Sequence, residues 1–250
     1  MDSKIKFLNE SAIKFDTAKD FDAVMAYYDI KNISQWFLGD VILELGSNSG
    51  TVTRYLKDKA SSLDVVEGSH VAIERSKDNL GEWGLRDEKI RFIEDLWENY
   101  FPTDKKYTDI VFIRGLEHLD DQERVPVLRH LQGLVVNKGR IHIIVPNARS
   151  LHRQIMVAKG TLSDIYALRD RDHDVGHKII YDLETLKEEV AAAGWSIIHQ
   201  ESFFVKQTGT SDFGDITMDP EHPLVKASYE ASKFAPNLGT QLYVVAEEKT

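Results

Sequence analysis

The stretch that decides the fold is residues 41–50, which read VILELGSNSG. Its first five residues form an apolar run, and Gly46 follows them directly. A short apolar run that ends in glycine is typical of a buried strand that leads into a turn. The small residues up to Gly50 lead into a segment that we predict to be a helix, residues 51–59. Exposed backbone amides in such a loop suit a ligand that is rich in acceptor atoms.

Downstream, predicted strands and helices alternate. Further strands are predicted at 62–67, 90–93, 109–113, 140–145, 195–204 and 241–247, and further helices at 71–80, 124–135 and 182–193. This alternation indicates an α/β fold with a mostly parallel sheet and right-handed crossovers. Ligands of such sheets bind beyond the carboxyl ends of the strands.

Three segments lie outside this alternation. Apolar residues at helical spacing predict that residues 1–38 form an N-terminal helical cap. Residues 147–180 and 205–240 are long insertions between regular elements, and segments of that length usually carry function or small helices of their own.

Composition excludes several classes of protein. The 250 residues include 41 Asp plus Glu, 31 Lys plus Arg and no Cys. The formal charge of −10 argues against general nucleic-acid binding, which depends on phosphate neutralisation. The lack of Cys excludes a disulfide scaffold, a thiol nucleophile and Cys-ligated metal centres. We find neither a signal-peptide core nor a membrane-spanning apolar stretch, so we expect a cytoplasmic protein.

A carboxylate ends the second predicted strand. Glu67 follows Gly50 by 17 residues, where acidic residues of dinucleotide folds accept ribose hydroxyls. For Glu67 alone, a solvated surface position is the alternative. A G-x-G-x-x-G fingerprint is not present, because Asn48 and Thr51 stand where its second and third glycines belong. The loop and the carboxylate together favour an adenosine-bearing cofactor.

Four segments in order extend this pattern over residues 40–200. They are ELGSNSG (44–50), VVEGSHVAIERSK (65–77), FIEDLWENYFPTDKKYTDIVFIRGLEHLDD (92–121) and LVVNKGRIHIIVPNARSLHR (134–153). The chain thereby resembles class I S-adenosylmethionine-dependent methyltransferases, and among them the subgroup similar to ubiquinone-biosynthesis O-methyltransferases. The resemblance implies a Rossmann-like three-layer sandwich at 39–250. Its seven-stranded sheet is mostly parallel, and its last strand is antiparallel and inserted beside 195–204.

The resemblance also implies a set of cofactor contacts. Glu44 and the backbone of Gly46 would hold the methionine end of S-adenosylmethionine, and Glu67 would accept its ribose hydroxyls. Asp95, for which Glu94 is an alternative, would meet the adenine together with the amide of Leu96. The backbone carbonyl of Arg114 would accept from the cofactor's ammonium group. The remaining expected cofactor contacts are Ser47, Asn48, Gly50, Gly68 and Ser69.

The acceptor side offers histidines. His118 follows Glu117 after the fourth predicted strand, and an imidazole is a natural base for a substrate hydroxyl. The alternative is that this stretch caps the loop and the next helix. Some similar methyltransferases carry E-x-x-E-H here and bind a metal. In this chain Arg114 takes the first acidic position, and its positive charge predicts that no metal binds.

The first insertion is locally basic. Residues 149–178 contain six Lys plus Arg, four Asp plus Glu and three His. This surplus predicts an anionic group on a small-molecule acceptor, although a solvated lid would have the same composition. His177 lies in a Gly-His-x-x-x-Tyr stretch that resembles a substrate-side feature of the subgroup, so it joins His118 as a candidate base.

The sequence therefore predicts methyl transfer by direct in-line displacement, with methylation of oxygen, nitrogen or carbon left open. Two other functions are compatible with the pattern. One is a non-catalytic cofactor-binding protein on the same fold. The other is a nicotinamide-dependent oxidoreductase, because Tyr229 and Lys233 match the Y-x-x-x-K pair of short-chain dehydrogenases. Only 17 residues follow Lys233, too few for the rest of a dehydrogenase fold.

Overall fold

The computed structural model describes residues 2–103, 106–209 and 215–249. Within these ranges seven strands form one sheet: β1 Val41–Leu45, β2 Ser62–Glu67, β3 Ile90–Glu94, β4 Tyr107–Ile113, β5 Val135–Pro146, β6 Trp195–Phe203 and β7 Gln241–Glu248. Their order is β3-β2-β1-β4-β5-β7-β6. The strands from β1 to β5 pair in parallel, and β7 lies antiparallel between β5 and β6. The predicted Rossmann-like topology, with an antiparallel last strand, is confirmed.

Helices cover both faces of the sheet. They are α1 Asp2–Lys14, α2 Asp22–Ile33, α3 Thr53–Leu56, α4 His70–Glu82, α5 Asp121–Gln132, α6 Leu151–Ala158, α7 Asp170–Asp174, α8 Leu183–Ala192 and α9 Pro223–Glu230. One apolar core joins α5 and α8 to the sheet through residues such as Leu128 and Leu186. A second core joins α2, α3 and α9 to the other face through residues such as Met25 and Val225. The two cores make the fold a three-layer sandwich.

The boundary between α5 and β5 differs from the prediction of a helix at 124–135 and a strand at 140–145. The helix begins at Asp121, because Asp120 and Glu123 form a reciprocal capping box before it. It ends at Gln132, and β5 begins at Val135. Lys138 lies inside the strand with φ +60°, so the turn-like sequence around it does not end the strand.

The N-terminal region has two structural roles. Val24 and Tyr28 of α2 are buried in the core on one face of the sheet, so α2 is a layer helix. By contrast, α1 packs on α4 and lies over the ends of the strands. The predicted cap therefore divides in two: α2 belongs to the core, and α1 covers the ends of the strands.

The first insertion forms a packed wall. It contributes α6 and α7, and Arg153 and Asp172 on these helices are each only 2% exposed. The alternative of a solvated lid is thus wrong for the inner side of this segment. In the part of the chain that the structure describes, we find no helix with the length and apolarity to cross a bilayer.

Candidate active site

The carboxyl end of β2 is joined to the loop after β1 by one carboxylate. Glu67 Oε2 accepts hydrogen bonds from the amides of Ser47 (3.1 Å) and Asn48 (3.3 Å), and Oε1 accepts from the amide of Ser69 (2.8 Å). Burial raises the pKa of Glu67, and these amide bonds oppose the rise. A carboxylate has about four lone-pair sites, so Glu67 can still accept from a ligand while it holds the loop.

The loop depends on left-handed backbone at three positions. Gly46, Asn48 and Gly50 have φ of +83°, +49° and +74°. Asparagine tolerates this region better than most residues, so Asn48 can take a conformation that otherwise favours glycine. A Cβ atom on Gly46 would lie 3.2 Å from the Trp97 ring. On Gly50 it would lie 3.3 Å from the backbone of Ser76, so Gly50 lets the loop pack against α4.

Glu44 lies beneath this loop. It is 1% exposed, and neither carboxyl oxygen has a hydrogen-bond partner among the described residues. Burial raises its pKa to about 8, and the nearby charge of Glu67 acts in the same direction. Glu44 is not among the described residues that line the cavity next to it. Its predicted contact with the cofactor stays a prediction.

The side predicted to hold adenine is covered by α1. Asn9 Oδ1 accepts from Ser69 Oγ (2.8 Å), and a Cβ atom on Gly68 would meet the side chains of Leu8 and Leu96 at 2.8 and 2.9 Å. Asp95 Oδ1 accepts from the Leu96 amide (2.8 Å). Leu96 lines the cavity, whereas Asp95 is not among the described residues of the lining, and its predicted contact with adenine stays a prediction.

Arg114 follows β4 in a left-handed conformation, with φ +51°. Its amide donates to the carbonyl of Ile144 on β5 (2.7 Å), and its Nη1 donates to Asp29 Oδ2 on α2 (2.6 Å). Asp29 is fully buried, and burial raises its pKa to about 6 against the effect of Arg114. Sequence reasoning used the backbone carbonyl and the charge of Arg114 but missed this ion pair, because nothing local links residues 29 and 114.

Both candidate bases lie beside Glu117. The rings of His118 and His177 are in edge contact, with centroids 4.8 Å apart. His177 Nε2 is 3.9 Å from Glu117 Oε1, and His177 Nδ1 is 3.7 Å from Asp172 Oδ1. Neither oxygen of the fully buried Glu117 has a hydrogen-bond partner among the described residues. The structure thus brings together two histidines that the sequence placed in separate motifs.

Burial shifts the proton affinities of this group. It lowers the pKa of His118 to about 3 and the pKa of His177 to about 4. It also raises the pKa of Glu117 to about 8, although the charge of Arg114 opposes the rise. The near-neutral imidazole expected from the sequence is therefore not what this cavity provides, and Glu117 has the pKa closest to neutrality.

The group also has the composition of a cation site. One ligand atom each from Glu117, His118 and His177 lies within 4.8 Å of the other two. The charge of Arg114, on which the expectation of no metal was based, is paired with Asp29. That expectation stays a prediction.

One cavity of about 900 Å³ adjoins the site, and Glu67, Leu96, Arg114, Glu117, His118 and His177 line it. The Glu67 loop and helices α1, α6 and α7 contribute to its walls. Trp97 and Lys206 also line it, and sequence reasoning did not select either residue. No local pattern could have indicated them, because each reaches the cavity only through the packing of its segment.

Comparison with known proteins places this geometry in a family. Residues 19–200 match the family described as "Methyltransferase domain". The DhpI-SAM-HEP complex has a TM-score of 0.62 and 16% identity, covering 98% of this chain and 96% of that one. Magnesium protoporphyrin IX methyltransferase from Synechocystis PCC 6803 with bound SAH has a TM-score of 0.61 and 11% identity, covering 92% and 86%.

The fold also hosts other chemistry. The [4+2]-cyclase SpnF has a TM-score of 0.58 and 15% identity, covering 91% of this chain and 81% of that one. At such identities the likeness to solved structures establishes the fold alone. No curated protein matches the chain in sequence. The family match spans more than half of the residues, and the chain therefore belongs to the methyltransferase domain family.

Proposed function

We propose that the protein methylates a hydroxyl group of a small anionic acceptor, with S-adenosylmethionine as methyl donor. The observation that carries the proposal is Glu67, whose carboxylate is fixed at the end of β2 by amides on both sides. S-adenosylmethionine supplies an electrophilic methyl group on sulfur, which a nucleophile attacks in line. The protein contributes position and exclusion of water.

The residues present fit this donor. Glu67 has lone pairs left for ribose hydroxyls, and the left-handed backbone at Gly46 leaves the loop free of a side chain at the cavity wall. Leu96 and Trp97 offer apolar contact to a purine. Arg114 lines the cavity, and its backbone carbonyl is an acceptor of the kind that an ammonium group requires. Glu44 lies behind the lining and would support this end of the donor from beneath the loop. We retain membership of the ubiquinone-type subgroup as part of this proposal.

The proton of the acceptor hydroxyl would pass to the group around His177. His177 lies between Glu117 and Asp172, so it can accept a proton at Nε2 while Asp172 stabilises the charge at Nδ1. Glu117 is the alternative acceptor. Its pKa near 8 means that it holds its own proton in most molecules at neutral pH, so this route gains as the pH rises through 8. His118 keeps its ring against His177 and would act through it.

The cavity supports a small acceptor. A volume of about 900 Å³ is within the range of sites that enclose small ligands, and it must hold donor and acceptor together. Unpartnered buried atoms among the described lining residues include both carboxyl oxygens of Glu117 and the hydroxyl of Thr240. Such atoms favour a polar acceptor, because each is costly until a ligand pairs with it.

Calorimetry with S-adenosylhomocysteine, S-adenosylmethionine and NAD tests the proposal. We expect the first two to bind and NAD not to bind, whereas NAD binding alone would favour an oxidoreductase. Mass spectrometry of protein incubated with S-adenosylmethionine and a panel of hydroxylated acids then tests turnover. Tight binding of the donor without methylation of any compound would favour the non-catalytic alternative.

A further inference from the structure

Helix α1 lies across the cavity and contacts the side proposed for the methyl donor. A Cβ atom on Gly68 would lie 2.8 Å from the side chain of Leu8, so the helix packs closely on the end of β2. On the same side, Asn9 Oδ1 accepts a hydrogen bond from Ser69 Oγ (2.8 Å). Both Leu8 and its neighbour Phe7 line the cavity. A methyl donor that fills this side would therefore lie against α1.

Phe7 packs on the loop that carries His177. Gly176 has φ +85°, and a Cβ atom on it would lie 2.7 Å from Cζ of Phe7 and 3.7 Å from Nδ1 of His118. Glycine is therefore required here by the left-handed backbone and also by the ring of Phe7. His177 comes next in the chain, and its amide donates to the carbonyl of Asp172 (2.8 Å). Adjacent residues of α1 thus contact the donor side and the loop beside both candidate bases.

Polar contacts at the surface hold much of α1 in place. Of the described side chains of this helix, only Ala12 is buried. Lys4 pairs with Glu98 (2.6 Å), and Lys14 pairs with Asp174 of α7 (2.9 Å) through side chains that are more than half exposed. Exposed pairs contribute little to stability, and a segment with few buried apolar contacts opens more easily than the core. A ligand beneath α1 can therefore favour its closed position.

We propose that Phe7 is a positioning residue, which transmits the closure of α1 over the methyl donor to the loop that carries His177. This inference rests on the proposed function, because the ligand beneath α1 is S-adenosylmethionine or its product. A ligand stabilises the conformation to which it binds better. Contact with Leu8 requires the closed position of α1, and in that position Phe7 packs on Gly176. The acceptor side is therefore complete only after the methyl donor has bound.

Amide hydrogen exchange, followed by mass spectrometry, tests the proposal on the full chain with and without saturating S-adenosylhomocysteine. The amides of Gly176, His177 and Lys178 are suitable probes of the loop, because each donates to a backbone carbonyl. In the wild type we expect the ligand to slow exchange both in α1 and at residues 175–178. In Phe7→Ala we expect the slowing in α1 to remain and the slowing at 175–178 to be lost.

Two further variants separate positioning from a general effect on α1. Phe7→Leu keeps an apolar side chain against the loop, so we expect it to restore most of the slowing at 175–178. Ile13→Ala is the matched control, since Ile13 is 69% exposed on the same helix and is not among the described residues of the lining. We expect Ile13→Ala to behave as the wild type does.

Glycine substitutions test the same contact from the loop. Gly176→Ala places a Cβ atom in the space of the Phe7 ring, so we expect the ligand to slow exchange in α1 less than in the wild type. Gly160→Ala is the matched control, because Gly160 has a similar φ of +71° but no described atom lies within 4 Å of its Cβ position. Both variants carry the strain of alanine at positive φ, so a difference between them measures the contact with Phe7. This pair decides if Phe7→Ala fails to fold.

Three outcomes would overturn the role of Phe7. They are exchange at 175–178 that the ligand does not slow in the wild type, equal slowing in Phe7→Ala and the wild type, or equal effects of Gly176→Ala and Gly160→Ala on α1. Calorimetry on the same samples measures the binding of S-adenosylhomocysteine. Failure of the wild type to bind it would instead overturn the proposed function, so the two failures are distinguishable.

Discussion

At the scale of single residues, the position of Glu67 at a strand end was readable from the sequence, but its double role was not. The alternation of strands and helices places it at the carboxyl edge of the sheet, and the structure confirms that position. That its oxygens also hold Ser47, Asn48 and Ser69 depends on how the loop folds back, which no local pattern encodes. A carboxylate that already organises its loop needs little rearrangement when a ligand binds.

Replacement of Glu67 with glutamine tests this role. The variant keeps the shape of the side chain but removes the charge of the carboxylate. Its NH₂ group also faces backbone amides that need an acceptor. We expect calorimetry to show affinity for S-adenosylhomocysteine lower by roughly tenfold to a hundredfold, the value of one charge-assisted hydrogen bond. Glu74→Gln is the matched control, since Glu74 is an exposed glutamate on α4 that does not line the cavity. Equal affinities in the two variants would rule out the ribose contact.

Glu44 predicts a pH dependence of stability. Its pKa in the folded protein is about 8, above the value of about 4.5 in the unfolded chain. Its contribution to the free energy of unfolding is therefore fully present below pH 4.5 and is lost as the pH rises through 8. Glutamine cannot ionise. Relative to wild type, the free energy of unfolding of Glu44→Gln should therefore increase by up to about 4 kcal/mol between pH 5 and pH 9.

Urea unfolding without cofactor at the two pH values measures this difference. Glu184→Gln, at an exposed position on α8, should show no such trend. A constant difference between Glu44→Gln and wild type would mean that Glu44 ionises freely in the folded protein.

At the scale of elements, periodicity predicted the strands well, because a buried strand in a parallel sheet is an apolar run with clear ends. The same reasoning failed for the inner side of residues 149–178. Charged composition is typical of a solvated segment, yet Arg153 and Asp172 are buried because they pair with each other and with Arg169. A sequence pattern does not reveal such pairing, because the paired residues come together only when the segment folds.

The ion pair between α2 and the end of β4 is the second element-level contact that the sequence did not reveal. Asp29→Ala would leave the guanidinium of Arg114 buried without its carboxylate. We therefore expect urea unfolding to show a free energy of unfolding lower by about 3–5 kcal/mol. The double variant Asp29→Leu/Arg114→Met should recover most of that loss, since it removes both charges. Asp174→Ala, which breaks an exposed pair with Lys14, should cost less than about 1 kcal/mol. Similar losses in both single variants would contradict a buried pair.

At the scale of the whole molecule, the net charge of −10 coexists with buried basic side chains in the cavity lining, among them Arg153. The global charge keeps the outer surface unfavourable for polyanions such as nucleic acid. The buried cations act at short range in a poorly screened cavity. Composition alone cannot predict this local arrangement of charges, because only the fold brings these residues to one cavity.

The last prediction concerns the folding unit. Residues 1–38 were predicted as a cap, but α2 shares a core with β1, β2, β4, β5 and β7, and α1 completes the cavity roof. We therefore expect one cooperative unfolding transition, coincident by tryptophan fluorescence and far-UV circular dichroism. S-adenosylhomocysteine at a hundredfold excess over its Kd should add about 2.7 kcal/mol to the free energy of unfolding. It should thereby raise the midpoint temperature of the single transition by roughly 5–10 °C, whereas NAD should not shift it. Two separate transitions, with only the later one shifted by the ligand, would instead make the N-terminal region an independent cap that contributes nothing to the binding site.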